Sequence, residues 1–386
     1  MKRIHPDVIR LGLVSFLTDV SSEAIFSVFA VFFTTIAGAS AALLGVVEGL
    51  SDFSASSLDY VSGWMSDKTG RRKSLAVVGY GFSTLAKFFL LVANSIASLS
   101  LFRIVERLGK SFRGPPRDAW LADIAAEADR GFSFGVHKAM DKAGAVLGPV
   151  LAFLLLAWLG QDLHGFKVLF ICTAIVAVFA VLFLLVMKDR PGAPHQRDNI
   201  FKAWRFLSPG FKLYLIPAGI FSLAYFSFGF LLLKAYEVGF SIADVILLYA
   251  LFNVAFVIAS IPIGSLGDRI GRHWLIKMEY AIYALMSLGF IFATDKWEIV
   301  GLFIIFGVFY SIDEAQTKAF IADLEPERRG SAIGLYNFFS GIVYLPASLI
   351  AGALWTVDPS YSFVFALIVS VIALLIFAVM DRRILR

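Results

Sequence analysis

The stretch Gly63–Lys73 reads GWMSDKTGRRK, and a second copy, GSLGDRIGRHW, stands at Gly264–Trp274. Asp268 follows Asp67 by 201 positions. Two further pairs keep nearly the same offset. RDAWLAD at Arg117–Asp123 returns as TKAFIAD at Thr317–Asp323, 200 positions on. Arg130-Gly131 with Gly135 returns as Arg329-Gly330 with Gly334. Unrelated motifs recurring at one offset predict a duplicated chain.

Working outward, each copy of the loop lies between long apolar runs. The 386 residues are 59% hydrophobic and 16% charged, with a mean hydropathy of +0.80 and 39 Phe. Soluble chains run roughly 45–50% apolar and about 25% charged. The composition argues against a water-soluble enzyme, a disordered regulator and a free nucleic-acid binder. A crossing helix needs about 20 apolar residues. About twelve such runs are legible: Val8–Ile36, Ala41–Met65, Lys73–Ala93, Ser98–Ile124, Gly131–Leu159, Phe166–Met187, Phe211–Tyr236, Ser241–Leu266, Trp274–Phe292, Glu298–Ile321, Gly330–Trp355 and Tyr361–Met380. Backbone polar groups in lipid bond within their own segment, so runs of this length are helices. An all-α membrane protein is predicted, with no room for a soluble domain. Asp19 and Glu23 interrupt the first run and argue against a cleavable signal. The lone Cys172 reads as a small packing residue.

Basic residues collect in alternate loops: Lys68 to Lys73, Arg130, Lys188 to Arg205, Arg269 and Arg272, Arg328 and Arg329, and Arg382 to Arg386. The loops between them are short and nearly uncharged. The positive-inside rule then predicts both termini in the cytoplasm. The longest connection divides the helices six and six: an N-terminal bundle over 1–188, a linker over 189–210 and a C-terminal bundle over 211–386. Pseudo-symmetric halves of this kind predict a central site near the bilayer midplane.

The pattern G-x-x-x-D-[RK]-x-G-R-[RK], filled by Gly63, Asp67, Lys68, Gly70, Arg71 and Arg72, resembles the signature loop of the major facilitator superfamily. In the second copy Asp268 and Arg272 keep their places and His273 replaces a basic residue. RIVERLG (Arg103–Gly109) is similar to the family's R-x-x-Q-G-x-G, with Glu106 for the glutamine and Arg107 for the first glycine. Gly135, Gly144, Gly148 and Pro149 resemble the fifth-helix pattern of drug/proton antiporters, with Ala152 and Phe153 in place of its closing Gly-Gly. The resemblance implies two six-helix bundles that rock about a central cavity, using neither cofactor nor bound metal. It also implies a gate at the cytoplasmic loops: Gly63, Asp67, Gly70, Arg71, Arg72, Asp268, Arg272 and Arg117, with Gly144, Gly148 and Pro149 on the fifth helix. Asp67 is read either as facing a helix N-terminus of the other half or as a solvated loop charge.

Charge inside the spans is the remaining signal, because each such residue is costly at a helix centre. Asp19 and Glu23 lie one turn apart. Glu48, Asp52 and Asp59 fall within about 40° on one helix face. Arg103, Arg107, Lys110 and Arg117 form a basic stripe, joined by Lys87, His137, Lys138, Asp141 and Lys142. Two readings stay open: structural ion pairs that fix packing, or a carboxylate that exchanges a proton or cation. For coupling the candidates are Asp19, Glu23, Glu48, Asp52, Arg103 and Glu106. Candidate cavity residues are Lys87, Arg107, His137, Asp141, Tyr225, Asn253, Tyr310, Tyr336 and Asn337. The C-terminal half reads as drier. Pro115-Pro116 is expected to bend or end the fourth helix, or simply to finish a span.

The function expected is secondary active transport of a small molecule across the inner or plasma membrane by a monomer in the bilayer, with protons or Na+ as coupling ion. Proton-driven export leads. A cation-coupled importer, a lipid flippase and a non-transporting sensor are the alternatives. No Walker loop, nucleophile elbow or metal-ligand spacing is present in the sequence to suggest an enzyme.

Overall fold

A computed structural model describes residues 5–125, 130–189, 204–326 and 328–384. Among these residues the chain is helical, without strands. Helix α1 (Pro6–Val31) runs on through a π-turn at Phe32–Ile36. There follow α2 (Ala41–Thr69), α3 (Arg72–Val92), α4 (Ile96–Ile124), α5 (Arg130–Leu159) and α6 (Leu163–Val186). Beyond the linker come α7 (Pro209–Ala224), α8 (Gly229–Glu237), α9 (Ile242–Ile270) and α10 (Arg272–Phe292). The last are α11 (Lys296–Ile312), a π-turn at Asp313–Thr317, α12 (Lys318–Leu324), α13 (Arg329–Trp355) and α14 (Pro359–Ile384). Taking α7 with α8 and α11 with α12, these are twelve crossings.

Among the described residues, nine helical stretches are long and apolar enough to span a bilayer by length and composition alone. Helices α2 and α4 carry charge, and α11 stops after 17 residues at its π-turn. Local chemistry sets the ends. Ser95 and Ser98 form a capping box before α4, and Asp295 and Glu298 do so before α11. Asp162 accepts from the Gly165 amide at 2.9 Å. Gly70 and Gly271 turn the two signature loops at φ 66° and 91°, where a side chain would be strained.

Contacts divide the chain into two compact units. One holds Met1–Ala39, Ser54–Arg197 and Ser241–Ala250; the other holds Ser40–Phe53, Asp198–Phe240 and Leu251–Arg386. The helices α2 and α9 each contribute to both. Residues 190–203 of the expected linker lie outside the described residues.

In the first unit α1 is the hub. It packs along α5 and α6, while α3 packs along α4. Its most apolar window is 83% buried, against 39% for α6, so polar groups on any face of α1 meet protein. A Cβ on Gly144 would strike the Phe16 carbonyl oxygen, and one on Gly148 the Val20 carbonyl oxygen. Small residues at these two positions therefore let α5 lie against the α1 backbone. At one end Val8, Leu11, Val14, Ala76, Tyr80, Trp120, Leu121, Ile124 and Leu184 close an apolar cluster. In the second unit α10, α14, α7 and α13 pack in succession. Trp158, Val186, Ile261 and Val379 are each more than four-fifths exposed, as befits a surface facing hydrocarbon.

Three expectations are corrected. The run Phe211–Tyr236 is not one helix but breaks between Ala224 and Gly229. Pro115-Pro116 does not end α4, which continues to Ile124. The missing donors free only the carbonyls of Ser111 and Phe112, while Trp120, Leu121 and Ile124 beyond them are held in the apolar cluster. Cys172 is exposed on α6 rather than packed inside.

Candidate transport site

The charges of the first unit form a ladder. Helix α4 runs antiparallel to α1, so Arg117, Arg113, Lys110 and Arg103 meet Ser15, Asp19, Glu23 and Phe26 in turn. Arg117 Nη1 lies 3.3 Å from Ser15 Oγ, and Arg113 Nη2 lies 3.8 Å from Asp19 Oδ1. Lys110 Nζ lies 2.5 Å from Glu23 Oε1. The Arg103 guanidinium sits over the Phe26 ring at 4.5 Å. Helix α3 runs parallel to α1. Its Tyr80 hydroxyl meets Ser15 at 3.2 Å and its Lys87 donates to Ser22 at 2.9 Å, each pair 65 positions apart.

Helix α5 completes this side. His137 Nε2 is 3.0 Å from Ser15 Oγ. Asp141 lies 3.5 Å from Arg117 and 3.7 Å from Lys138. Glu106 turns to Ser83 at 3.2 Å and to Arg103 at 3.6 Å. Arg107 is half-buried on the same helix. Burial without hydrogen bonds is costly, and this ladder supplies most of its members with a partner.

Glu23 has a further contact. The Tyr249 hydroxyl, on α9, donates to its Oε2 at 2.5 Å. Tyr249 also meets Phe26 edge-to-face at 5.5 Å. Nothing in the sequence marks Tyr249, which stands in the apolar run ILLYALF.

The second unit holds Glu48 and Asp52 of α2 together with the uncharged candidates. Ser227 donates to Glu48 Oε2 at 3.3 Å and accepts from the Gly229 amide at 3.2 Å, so Glu48 sits at the break between α7 and α8. Tyr225 caps α7 at the same break and contacts Tyr344 and Tyr283, each at 5.6 Å. Tyr310 packs among Phe252, Phe256 and Phe306. Tyr336 stacks on Tyr214 at 6.3 Å. Asn253 is buried on α9 and Asn337 half-buried on α13.

This half is less dry than the sequence suggests. Glu279 of α10 is only 1% exposed and accepts from the Thr317 hydroxyl at 2.8 Å, at the π-turn that follows α11. Lys277 pairs with Asp381 at 2.5 Å. Glu279 is not among the sequence candidates, although an acid inside the apolar run Trp274–Phe292 is a signal that could have marked it; nothing there marks its partner Thr317.

The two signature loops carry one clamp each. Arg72 Nε donates to Asp123 at 3.1 Å, and its Nη1 donates to Ser66 and Asp67, both at 2.9 Å. In the second half Arg272 pairs with Asp323. Both clamps join residues 51 positions apart. The loop motifs align Arg71 with Arg272, yet Arg72 makes the equivalent contact and Arg71 is exposed. The Asp268 side chain lies outside the described residues.

Twelve crossings, duplicated clamps and a charged ladder define a polytopic carrier. The sequence matches the Major Facilitator Superfamily over residues 11–236 and 218–384. The chain belongs to that superfamily: it is a multi-pass membrane protein and a secondary transporter. An uncharacterized MFS-type transporter of Methanocaldococcus jannaschii is 32% identical over 379 residues, covering 96% of this chain and 94% of that protein. The quinolone resistance protein NorA of Staphylococcus aureus is 24% identical over 314 residues, 76% of each chain. Among solved structures, a mutant of the nucleoside transporter NupG superposes with a TM-score of 0.82 over 97% of this chain and 99% of its own, at 14% identity. That likeness concerns the fold.

Proposed function

We propose that the protein exports a small molecule by alternating access, driven by inward proton flow, across the inner or plasma membrane with both termini in the cytoplasm. The basic residues in alternate loops support that orientation. The observation that carries the coupling is the setting of Glu23, between Lys110 on α4 and the Tyr249 hydroxyl on α9. A carboxylate parted from its cation in hydrocarbon is relieved by taking a proton. Helix shifts that withdraw Lys110 on α4 and Tyr249 on α9 from α1 therefore load Glu23, and the return stroke unloads it. Asp19 with Arg113 is a second pair of the same kind across α1 and α4, whereas Glu106 and Arg103 stand three residues apart on α4 and move together. The likeness to the quinolone resistance protein NorA makes quinolones the first compounds to assay, and resistance is what export of such compounds would confer.

The test is efflux from cells and proteoliposomes expressing the protein. Export is expected to stop when a protonophore collapses the gradient, and to fall at least tenfold in Glu23→Gln. Movement that ignores the pH gradient contradicts the coupling. Undiminished coupled transport in Glu23→Gln contradicts the assignment of the site.

A cation-coupled importer is the second reading, favoured by Glu48 at the broken α7–α8 segment, since discontinuous helices bind coupling ions in other carriers. Sodium-dependent uptake decides for it.

A further inference from the structure

Lys87 is wholly enclosed, at 0% exposure. Among the described residues its Nζ makes one hydrogen bond, to the neutral Ser22 hydroxyl, and no ion pair. Ser22 follows Asp19 by three positions on α1, and Asp19 stands 3.8 Å from Arg113 Nη2, beyond hydrogen-bond reach. The Arg113 guanidinium lies over the Tyr80 ring at 4.6 Å. Its Nη1 is buried with no hydrogen-bond partner among the described residues. Tyr80 and Lys87 share one face of α3, two turns apart. Two enclosed cations thus flank adjacent turns of α1, facing one loosely held carboxylate and one hydroxyl. The acid that acts most strongly on Lys87, Glu106, is shared with Ser83 and Arg103.

The rest of the ladder is better satisfied. Lys110 holds Glu23 at 2.5 Å, and Arg117 holds Asp118 at 2.9 Å and Asp141 at 3.5 Å. Buried charges in folded proteins are paired and hydrogen-bonded. A guanidinium nitrogen left over, with an enclosed ammonium whose hydrogen bond goes to a neutral hydroxyl, is what a site looks like before its counter-charge arrives.

We infer that Lys87 Nζ and Arg113 Nη1 receive an oxyanion group, a carboxylate or a phosphate, of the transported compound. Lys87 supplies a point charge and Arg113 a planar fork. Lys87, Arg103, Lys110 and Arg113 against Asp19, Glu23 and Glu106 leave one positive charge to be met. An anion taken by Arg113 competes with Asp19 for the same guanidinium. Substrate entry therefore loosens Asp19, which places substrate binding and proton loading on one arginine. Assigning the anion to the transported compound rests on the exporter reading; the site itself does not.

The experiment is thermal unfolding of the purified protein in detergent, titrated with inorganic phosphate or benzoate at constant ionic strength against chloride. One or both anions are expected to raise the melting temperature. Lys87→Gln and Arg113→Gln are expected to cut that response at least tenfold. A response to phosphate alone, or to benzoate alone, identifies the group. The inference is overturned if neither anion raises the parent's melting temperature or if the rise survives both substitutions. Loss of the anion response with gradient-driven efflux intact removes the substrate class only; an anion response without gradient dependence removes the coupling only.

Discussion

The Tyr249 hydroxyl donates a 2.5 Å hydrogen bond to Glu23, although the two residues stand 226 positions apart. The other oxygen of Glu23 is held by Lys110. One carboxylate thus reports on two helices, α4 and α9, and loses a partner whenever either withdraws. This is the physical content of the coupling proposed above.

Removing the hydroxyl while keeping the ring isolates that contact. Tyr249→Phe preserves the edge-to-face packing on Phe26. It forfeits a hydrogen bond to a charged group, about 1.5–3 kcal/mol. Amide hydrogen exchange over Ile242–Ala250 is expected to rise in the variant, with the protein still folded. Unchanged exchange there means the contact does not hold this conformer together.

Helix α5 can approach α1 only through its glycines. Gly144→Ala and Gly148→Ala place a methyl against the carbonyls of Phe16 and Val20. Each is expected to cost about 1–3 kcal/mol, as overpacked cores do, and to lower the melting temperature. Gly135→Ala has nothing within 4 Å of the new atom and is expected to be neutral or mildly stabilising. Equal effects at all three positions contradict the close approach.

The clamps differ in depth, so their losses differ too. The Arg72 side chain is 6% exposed with three partners; that of Arg272 is 29% exposed and Asp323 is 56% exposed. Arg72→Ala is expected to destabilise by about 3–5 kcal/mol, and Arg272→Ala by about 1 kcal/mol or less. Arg72→Lys does not restore the loss, since one ammonium cannot reproduce bonds made by Nε and Nη1 together. Denaturation of the three variants in one detergent ranks them.

Two buried acids respond unequally to neutralisation. Glu279 has a hydroxyl partner, and Glu279→Gln keeps an oxygen for the Thr317 donor. Its melting temperature is expected to stay within a few degrees of the parent. Glu23→Gln leaves Lys110 without its carboxylate and is expected to melt clearly lower. The reverse order contradicts the assignment of Glu23 as the paired acid.

What was legible before any coordinates was what a local pattern can carry. Apolar runs mark the crossings because hydrocarbon demands helices of a set length. The recurrence of Asp67 as Asp268, and of Asp123 as Asp323, marks the duplication. Acids in apolar runs mark Asp19, Glu23 and Glu48 as costly and hence meaningful. Side-chain partners are another matter, because they are chosen across helices by packing and not along the chain. That Arg72 rather than Arg71 grips Asp123, that Tyr249 from an unmarked apolar stretch meets Glu23, and that Lys87 donates to Ser22 depend on where helix faces come to rest. The break after Ala224 is likewise a tertiary matter: no proline forces it, and Ser227 bridges the freed backbone and Glu48 only once both have been brought together.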